Sequence, residues 1–525
     1  MNKKKEILIL IAGNFSILAI IALVVTVIVF QSFFYLVVVI VCFYVLQVLL
    51  SFYLLNSRRI VNVKMCWIFV ILGLPVFGFF LFVIFGINPL LRFKRKDYLS
   101  RQASFIRHED FDFTNEFLNE ESEKNDLLKQ IFYFGVNSQR RPVYCNNEVF
   151  VVQNQKNLYH ESLKLIEKAK HFIHLQYYII SDGVWLRSIA NALIEKVKQG
   201  VKVRFIYDWV GTYKRGAAAI LKELKEAGVL IGEFNPATFT RYTSKTNFRC
   251  HRKCLIVDNV YALYGGSNLA DEYIRYEKWF NNWEDSNVII SGHIVNTLNI
   301  IFCLDWLSYC GLSKDQRNQD DLLENRDFYL SLKKPELVST ERKVIAQIVE
   351  SSPGYNEKTL HDMLISLFAK AKSKIKIITP YFVPTEGVLT ALRTASLSGI
   401  DVQIILPGMP DDKAYILTMN RFQYEKLIDA DIRIYEYQGF IHSKTIMIDD
   451  DVTVVSTFNL DFRSLFINYE SALIVKDSET VKNYTNIFNN LISQSTKITP
   501  KTFSKHQKRI IKWKMAFMNI YHPLL

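Results

Sequence analysis

The apolar positions divide the chain into two parts at about residue 97. Before that point lie three apolar runs, Ile7–Phe30, Phe33–Leu55 and Met65–Gly86, each close to the ~20 residues that a helix needs to cross a bilayer core. After it, helix-like stretches alternate with short apolar runs of strand length, a pattern typical of α/β structure. The sequence therefore predicts a membrane anchor of two or three hydrophobic helices, followed by a soluble part with mixed sheets.

Charges around the apolar runs bear on the membrane topology. Basic residues lie before the first run, between the second and third, and after the third, at positions 3–5, 58–64 and 92–96. Because cytoplasmic loops are enriched in lysine and arginine, all three groups favour the cytoplasm. Pro75, between Gly73 and Gly78, predicts a bend that returns the third run to the side from which it entered. We therefore expect a multi-pass protein of the cell membrane with a cytoplasmic catalytic part.

The soluble part repeats one order of elements. Residues 168–174 and 370–376 each resemble a helix end that leads into a buried strand. Gly200 and Gly399 each follow a later helical stretch and precede another strand, which is the usual position of a glycine that ends a helix. An internal repeat of this length predicts two related lobes. The predicted fold class is α/β, with a mixed β-sheet in each lobe, preceded by transmembrane helices.

These patterns predict a division of the chain into five segments. They are the anchor, a linker, the first lobe, the second lobe and a basic amphipathic C-terminal segment, at residues 1–96, 97–135, 136–320, 330–500 and 501–525. The polar stretch 313–326 is the predicted connection between the lobes. The C-terminal segment mixes basic with aromatic residues, as helices at a membrane surface do, although a helix packed on the second lobe has the same pattern.

Each lobe contains one copy of the same polar motif. Its members are His251, Lys253, Asp258 and Asn268 in the first lobe, and His442, Lys444, Asp449 and Asn459 in the second. In both copies the lysine, aspartate and asparagine follow the histidine by 2, 7 and 17 residues. A single histidine is more often a satisfied structural residue than a catalytic one. Two copies in register with a wider repeat instead predict a functional site.

Strand geometry predicts how the motif is arranged. A histidine and a lysine two residues apart share one face of a strand. A hairpin centred near residue 259.5 would place the asparagine opposite the histidine, and the second lobe would do the same. The aspartate lies seven residues along, about 23 Å away at about 3.3 Å per residue, and on the other face. Within the catalytic motif we therefore expect Asp258 and Asp449 to have a structural or indirect role.

The paired motifs suit transfer of a phosphoryl group. Two lysines and two asparagines can bind a phosphodiester and its developing charge. One histidine can attack phosphorus to form a phosphohistidine, while the other protonates the leaving alcohol and deprotonates the incoming one. This chemistry requires neither a metal nor a cofactor, and we expect none. Cys250 and Cys254 flank the first histidine, but no second pair of ligands lies near them in the sequence.

The net charge of +13 favours a negatively charged partner. Nucleic acid and anionic lipid both satisfy this requirement, and the three apolar runs favour membrane lipid over nucleic acid. The seven cysteines are scattered and odd in number, which does not suit a disulfide framework and favours a reducing compartment. We therefore expect a membrane-embedded enzyme with anionic lipid as its partner.

The motifs and their surroundings resemble the phospholipase D superfamily, and most closely its bacterial cardiolipin synthases. The matching segments lie in both lobes and cover residues 172–180, 265–273, 283–285, 379–384, 439–445 and 459–464. The resemblance implies that phosphatidylglycerol donates a phosphatidyl group to a second phosphatidylglycerol, giving cardiolipin and glycerol. It implies that Asp285 and Glu470 orient the histidines. It also favours His251 as the nucleophile, with His442 as acid and base.

Two other functions remain compatible with the sequence. A phospholipase D-type hydrolase would use water in place of the lipid alcohol at the second step. A catalytically inactive scaffold that binds anionic lipid would retain the charge and the membrane runs, but it would not need two intact motifs. Analysis of the products formed from pure phosphatidylglycerol separates the transferase from the hydrolase.

Overall fold

The computed structural model describes most of the two lobes and part of the N-terminal region. The described residues are 20, 22–26, 33–57, 59, 61–74, 76–86, 89–106, 111, 114, 126–153, 155–236, 247–275, 283–330, 344–353, 358–410, 414–503 and 511. The chain divides into two compact units, the first extending to Pro89 and the second beginning at Leu90. Most of the first apolar run, and nearly all of the C-terminal segment 501–525, lie outside the described residues.

The N-terminal unit contains one helix that is long and apolar enough to cross a membrane, within the part of the chain that the structure describes. This helix, α1, covers Phe33–Leu55, and its apolar stretch is Tyr35–Leu55. Most of its apolar side chains are exposed in the isolated chain, as expected for a helix whose surroundings are lipid. One such helix supports membrane attachment, while the number of spans stays a prediction.

The third apolar run folds back on itself. Helix α2 covers Val61–Gly73, helix α3 covers Phe77–Leu81, and a π-helical turn follows at Phe82–Gly86. The rings of Trp67 and Phe82 lie 5.3 Å apart, whereas fifteen residues of straight helix would separate them by about 22 Å. A Cβ atom at Gly78 would collide with the carbonyl oxygen of Val70. The bend predicted around Pro75 is therefore present between α2 and α3.

One sixteen-stranded sheet runs through both lobes. The first lobe contributes β1 (Tyr144–Val151), β2 (Phe172–Tyr177), β3 (Lys202–Asp208), β4 (Leu230–Phe234), β5 (Cys254–Val257), β6 (Tyr261–Gly265), β7 (Trp283–Glu284), β8 (Asn287–Gly292) and β9 (Cys310–Gly311). The second contributes β10 (Val344–Ser351), β11 (Lys374–Ile378), β12 (Phe382–Val383), β13 (Asp401–Pro407), β14 (Arg433–Tyr437), β15 (Phe440–Ile441), β16 (Thr445–Ile448), β17 (Val452–Ser456), β18 (Leu460–Asp461), β19 (Glu470–Lys476) and β20 (Ser495–Ile498). The short strands β7, β12, β15 and β18 pair outside the main sheet, as β7 with β15 and β12 with β18.

The sheet has two equivalent mixed halves. The order is β20-β14-β13-β11-β16-β17-β19-β10-β1-β8-β6-β5-β2-β3-β4-β9. Strands β2, β3 and β4 are parallel, as are β11, β13 and β14, and each set adjoins an antiparallel hairpin, β5–β6 or β16–β17. Strands β1 and β10 pair in antiparallel fashion and join the halves. The mixed sheets predicted for the two lobes are thus one continuous sheet.

Helices cover the sheet and connect its parallel strands. In chain order they are α4 (Pro89–Phe105), α5 (Asp126–Gln139), α6 (Gln155–Glu167), α7 (Val184–Lys198), α8 (Trp209–Thr212), α9 (Ala218–Glu226), α10 (Ile294–Tyr309), α11 (Lys314–Gln319), α12 (Arg326–Leu330), α13 (Thr359–Lys370), α14 (Glu386–Leu397), α15 (Ala414–Phe422), α16 (Tyr424–Ile428), α17 (Phe462–Phe466) and α18 (Ser478–Ser493). After α7 and α14 the chain turns at Gly200 and Gly399, with φ angles of 86° and 93°. Glycine adopts this left-handed conformation at no steric cost, which explains both predicted helix ends.

Two stretches that the sequence presented as linkers are packed into the fold. Tyr98, in α4, is fully buried, and its hydroxyl donates a hydrogen bond to Glu350 at 2.9 Å. In the predicted connection 313–326, Asp320 and Asp321 form ion pairs with the buried Arg204 of β3 at 2.9 and 2.7 Å. In both places these polar groups have buried partners within the fold, and the predicted segment boundaries stay a prediction.

Candidate active site

The histidine and lysine of each motif lie just before a strand. Strands β5 and β16 begin at Cys254 and Thr445, one residue after the lysine. The expectation that both residues belong to the strand is therefore wrong. In each lobe the lysine Nζ donates to the carbonyl oxygen of its own histidine at 2.5 Å. The histidine and lysine thus lie outside the paired positions of the main sheet. The lysine ammonium satisfies the histidine carbonyl oxygen, which has no backbone partner among the described residues.

The hairpins differ in register by one residue from the prediction. Cys254 pairs with Tyr264, and Thr445 pairs with Val455, whereas the predicted centres would pair them with Gly265 and Ser456. The asparagines are therefore not directly opposite the histidines. The reason is the turn, since three residues separate the last paired positions in each hairpin. In the first hairpin Asp258 and Asn259 have φ angles of 54° and 57°, a conformation that Asp and Asn tolerate well.

The aspartates of the motif directly follow β5 and β16. They therefore lie at the far end of these strands from the histidines. The carboxylate of Asp258 accepts hydrogen bonds from the backbone N–H groups of Lys170, His171 and Phe172, at 2.7 to 2.9 Å. The equivalent donors to Asp449 are the backbone N–H groups of Lys372, Ser373 and Lys374. Each aspartate thus fixes its turn to the start of the neighbouring strand, β2 or β11. The structure thus places both aspartates away from the histidines, and the catalytic role of the histidine and lysine of each motif stays a prediction.

Each histidine is paired with a carboxylate from the other lobe. Nδ1 of His251 lies 3.0 Å from the Glu470 carboxylate and 2.9 Å from the carbonyl oxygen of Thr457. Nδ1 of His442 lies 2.7 Å from Oδ2 of Asp285. The resemblance implied these two acids without assigning either to a histidine. Because the pairs cross between lobes, neither half contains a complete histidine–acid pair by itself, and the two motifs form one site.

The crossed pairs determine which ring nitrogen is available for chemistry. The partners of His251 Nδ1 are a carbonyl oxygen and a carboxylate whose pKa is lowered, despite burial, by the adjacent His251 and Lys253. Such oxygens only accept hydrogen bonds, so Nδ1 carries the hydrogen and Nε2 carries the lone pair. Among the described residues, Nε2 of His251 has no hydrogen-bond partner. Nε2 of His442, by contrast, lies 3.2 Å from Nζ of Lys444.

Burial governs the charges in the site. It lowers the pKa of His251 to about 4 and the pKa of His442 to about 3, with the nearby lysine charges acting in the same direction. Burial also lowers the pKa of Lys253 to about 7 and the pKa of Lys444 to about 8. The charge of Lys444 adds to the lowering at Lys253. At neutral pH both imidazoles are therefore neutral, and the lysines change charge close to that pH.

The two asparagines differ in how far they are already engaged. The side chain of Asn268 accepts a hydrogen bond from the N–H of Ile179 at 3.1 Å and donates one to the Tyr273 hydroxyl at 2.6 Å. Asn459 is 5% exposed, and its Oδ1 has no hydrogen-bond partner among the described residues. An unsatisfied buried amide is costly, and its oxygen and nitrogen are interchangeable in assignment. Asn459 is thus ready to bind a ligand, and the phosphate-binding role of both asparagines stays a prediction.

Aromatic rings enclose the histidines, and the motif search did not identify them. The ring of Tyr178 lies 5.0 Å from that of His251, and the rings of Tyr273 and Trp283 lie 5.2 and 5.7 Å from that of His442. All three are in segments that carried the family resemblance, but nothing in their spacing connected them to the histidines. They contribute to the burial that lowers the pKa of both imidazoles.

The residue between His251 and Lys253 joins the lobes. The guanidinium of Arg252 donates to Asp305 and to Glu350, each at 2.5 Å, and its Nε donates to the carbonyl oxygen of Glu470 at 3.3 Å. All four side chains are fully buried. Asp305 lies in α10 of the first lobe, and Glu350 lies in β10 of the second. Arg252 thereby ties the His251 segment to the segment that holds its orienting acid.

Comparison with known proteins agrees with this geometry. The family model described as "Cardiolipin synthase, PLD-like domain" matches residues 162–306 and 364–492, one segment in each lobe. Cardiolipin synthase 2 of Bacillus anthracis is 32% identical over 466 residues, which cover 87% of this chain and 86% of that protein. Cardiolipin synthase 1 of Bacillus cereus is 34% identical over 491 residues, covering 91% and 92%.

A solved structure supports the fold independently of close sequence similarity. Phosphatidylserine synthase of Haemophilus influenzae aligns with a TM-score of 0.55 at 14% identity, covering 75% of this chain and all of that one. The likeness therefore extends across both lobes at an identity that carries information on the fold alone. Together with the family match, and with two motifs assembled into one site, it leads to one conclusion: the chain belongs to the cardiolipin synthases of the phospholipase D superfamily, which are phosphatidyltransferases.

Proposed function

We propose that this enzyme transfers a phosphatidyl group from one phosphatidylglycerol to a second, forming cardiolipin and glycerol through a phosphohistidine. The observation that carries the proposal is the crossed pairing of His251 with Glu470 and of His442 with Asp285. It supplies two imidazoles, each oriented at Nδ1 by a carboxylate, which suits a reaction with one nucleophile and one acid–base group.

In the first step Nε2 of His251 attacks phosphorus, and the bond from phosphorus to the glycerol oxygen breaks. The leaving oxygen takes a proton from Nε2 of His442. Burial lowers the pKa of His442, and the negative charge of a bound phosphodiester raises it again, so that the imidazole can hold this proton. Nζ of Lys444 lies 3.0 Å from Nδ1 and 3.2 Å from Nε2 of this ring and keeps its own proton, as its role in phosphate binding requires. The free Nε2 of His251 favours this histidine as the nucleophile.

In the second step the hydroxyl of an acceptor phosphatidylglycerol replaces the glycerol. Nε2 of His442 accepts its proton, the oxygen attacks phosphorus, and the bond between phosphorus and His251 breaks. The products are cardiolipin and the regenerated imidazole. Lys253, Lys444 and the two motif asparagines would bind the phosphoryl oxygens as negative charge develops. Anionic phospholipid is thus both donor and acceptor.

The product distribution tests the transferase proposal. The purified full-length enzyme, in vesicles whose only reactive lipid is phosphatidylglycerol, should release one glycerol for each cardiolipin formed. Mass spectrometry of the lipids and an enzymatic glycerol assay measure the two products. Formation of phosphatidic acid in place of cardiolipin would identify a hydrolase. If neither cardiolipin nor phosphatidic acid formed, the inactive scaffold would be favoured.

The pKa values of the lysines predict a rise in KM at alkaline pH. A lowered lysine pKa means that the cation is present below that pKa and is lost above it, while the lipid phosphodiester stays ionised throughout. Between about pH 7 and pH 9 we expect KM for phosphatidylglycerol to rise on the order of tenfold, since a hydrogen bond to a charged group contributes about 1.5–3 kcal/mol.

Lys253→Arg provides the matched control for this pH dependence, because a guanidinium keeps its charge throughout that range. Its KM should rise less steeply with pH than that of the native enzyme, even if its overall rate is lower. A native KM that is constant from pH 7 to pH 9 would contradict the assignment of the lysines to phosphate binding.

We also propose a multi-pass anchor in the cell membrane with the lobes in the cytoplasm. The positively charged segments and the folded-back third run support this arrangement. Cys145 is partly exposed on β1 and can report the side of the membrane. In intact cells it should resist a membrane-impermeant maleimide and become reactive after permeabilisation, with Cys145→Ser as the control for labelling of other cysteines. Labelling of Cys145 in intact cells would place the lobes outside.

A further inference from the structure

Two segments beside the His251 end of the site, each a loop with an adjoining helix start, carry exposed apolar and basic residues. They follow β2 and β3, and the N–H of Asp182 in the first donates to the carbonyl oxygen of Arg215 in the second at 3.0 Å. These residues are Val184, Val210 and Tyr213, which are 38%, 40% and 57% exposed, together with the exposed Lys214 and Arg215. We call these five residues the loop rim.

The loop rim is built directly onto the site. Helix α8 packs so closely on Tyr178 that a Cβ atom at Gly211 would collide with its carbonyl oxygen. The ring of Tyr178 in turn lies 5.0 Å from the His251 ring, and Nζ of Lys253 lies 5.6 Å from its centre. Tyr178 therefore contacts both α8, which contains Val210, and the proposed nucleophile.

A buried carboxylate holds the loop rim in place. Oδ1 of Asp208 accepts hydrogen bonds from the N–H groups of Val210 and Gly211 at 3.0 and 3.1 Å and caps α8. Its other oxygen accepts the N–H of Cys250, the residue before His251, at 2.9 Å. Asp208 is fully buried. Val210 and helix α8 are thus tied to the His251 segment.

We propose that the loop rim inserts into the lipid–water interface of an anionic bilayer, where it receives the substrate lipid beside His251. This inference rests on the proposed use of a phospholipid. A donor lipid must bring its phosphodiester to a buried imidazole while its acyl chains remain in an apolar environment. Valine and tyrosine at the rim supply apolar contact at that boundary, tyrosine with its hydroxyl in the headgroup layer. Lys214 and Arg215 attract anionic headgroups.

A photocrosslinker tests the contact without reference to catalysis. The full-length protein, carrying p-benzoylphenylalanine at Tyr213, is reconstituted into vesicles of phosphatidylglycerol and phosphatidylcholine and irradiated. We expect the intact protein mass to increase by one lipid. The control carries the crosslinker at Leu397, which is 67% exposed at the end of α14 in the second lobe. Lipid adducts at Leu397 alone, or at neither position, would overturn the proposal.

Kinetics with two physical forms of the substrate provide the second test. The double variant Val210→Ser, Tyr213→Ser should lose at least about tenfold in kcat/KM on bilayer phosphatidylglycerol, because burying even one such side chain contributes roughly that factor. It should retain its rate on water-soluble dihexanoyl phosphatidylglycerol, and Leu397→Ser should be unchanged on both. Equal losses on the two substrates, or none on the bilayer, would overturn the rim as a lipid contact.

The two tests fail separately from the proposed function. If the native enzyme formed phosphatidic acid while the crosslinker at Tyr213 captured lipid, the transferase proposal would fail and the loop rim would stand. If the native enzyme formed cardiolipin and no lipid adduct formed at Tyr213, the loop rim proposal would fail and the transferase proposal would stand.

Discussion

Replacing His251 with alanine is expected to lower kcat for cardiolipin formation by roughly four orders of magnitude or more, because loss of a covalent nucleophile removes the reaction path rather than one contact. The side chain is 11% exposed, and the variant removes only an imidazole at the edge of a packed site, so it should still fold. Cardiolipin formation from phosphatidylglycerol measures the loss, and near-ultraviolet circular dichroism of the same preparation checks the fold.

His442→Ala should be comparably inactive on phosphatidylglycerol, because the leaving glycerol then lacks its proton donor. A substrate with an activated leaving group distinguishes this variant from His251→Ala. Phosphatidyl-p-nitrophenol has a leaving group that is stable as an anion at neutral pH and needs no proton. We expect His442→Ala to release a burst of about one nitrophenol per enzyme and to accumulate phosphohistidine at His251. His251→Ala should release none. A burst from His251→Ala, with the phosphoryl group mapped to His442, would reverse the two roles.

Arg252→Ala is expected to destabilise the lobes by about 3–5 kcal/mol, the usual effect of removing one partner from a buried ion pair. Asp305 and Glu350 would remain buried without the guanidinium that each contacts at 2.5 Å. The thermal denaturation midpoint of the full-length protein in detergent should fall accordingly, and catalysis should fall with it because Arg252 connects the His251 segment to that of Glu470.

Arg187→Ala is the matched control for this effect. Arg187 forms an ion pair with Glu223 between α7 and α9, but its side chain is 44% exposed and that of Glu223 is 47% exposed. Solvent screens such a pair, so its loss should cost at most about 1 kcal/mol. Equal destabilisation by the two variants would mean that the network around Arg252 contributes no more than a surface ion pair.

The local structure of the site followed from the sequence wherever the cause was local. The turns at Asp258 and Asp449, the helix ends at Gly200 and Gly399, and the bend after Gly73 each depend on the conformational preferences of a few neighbouring residues. The one-residue error in hairpin register arose because turn length depends on φ angles at Asp258 and Asn259 that residue type favours but does not determine.

The sequence by itself determined the repeat, the two histidine–lysine pairs and the remote position of the aspartates, because spacing along a strand sets distance and direction. Only the tertiary structure decided that Glu470 pairs with His251 and Asp285 with His442, that Arg252 joins the lobes, and that the two mixed sheets are continuous. Those contacts link residues more than fifty positions apart. They depend on how the lobes pack, and no periodicity in either lobe encodes the partner that the other will present.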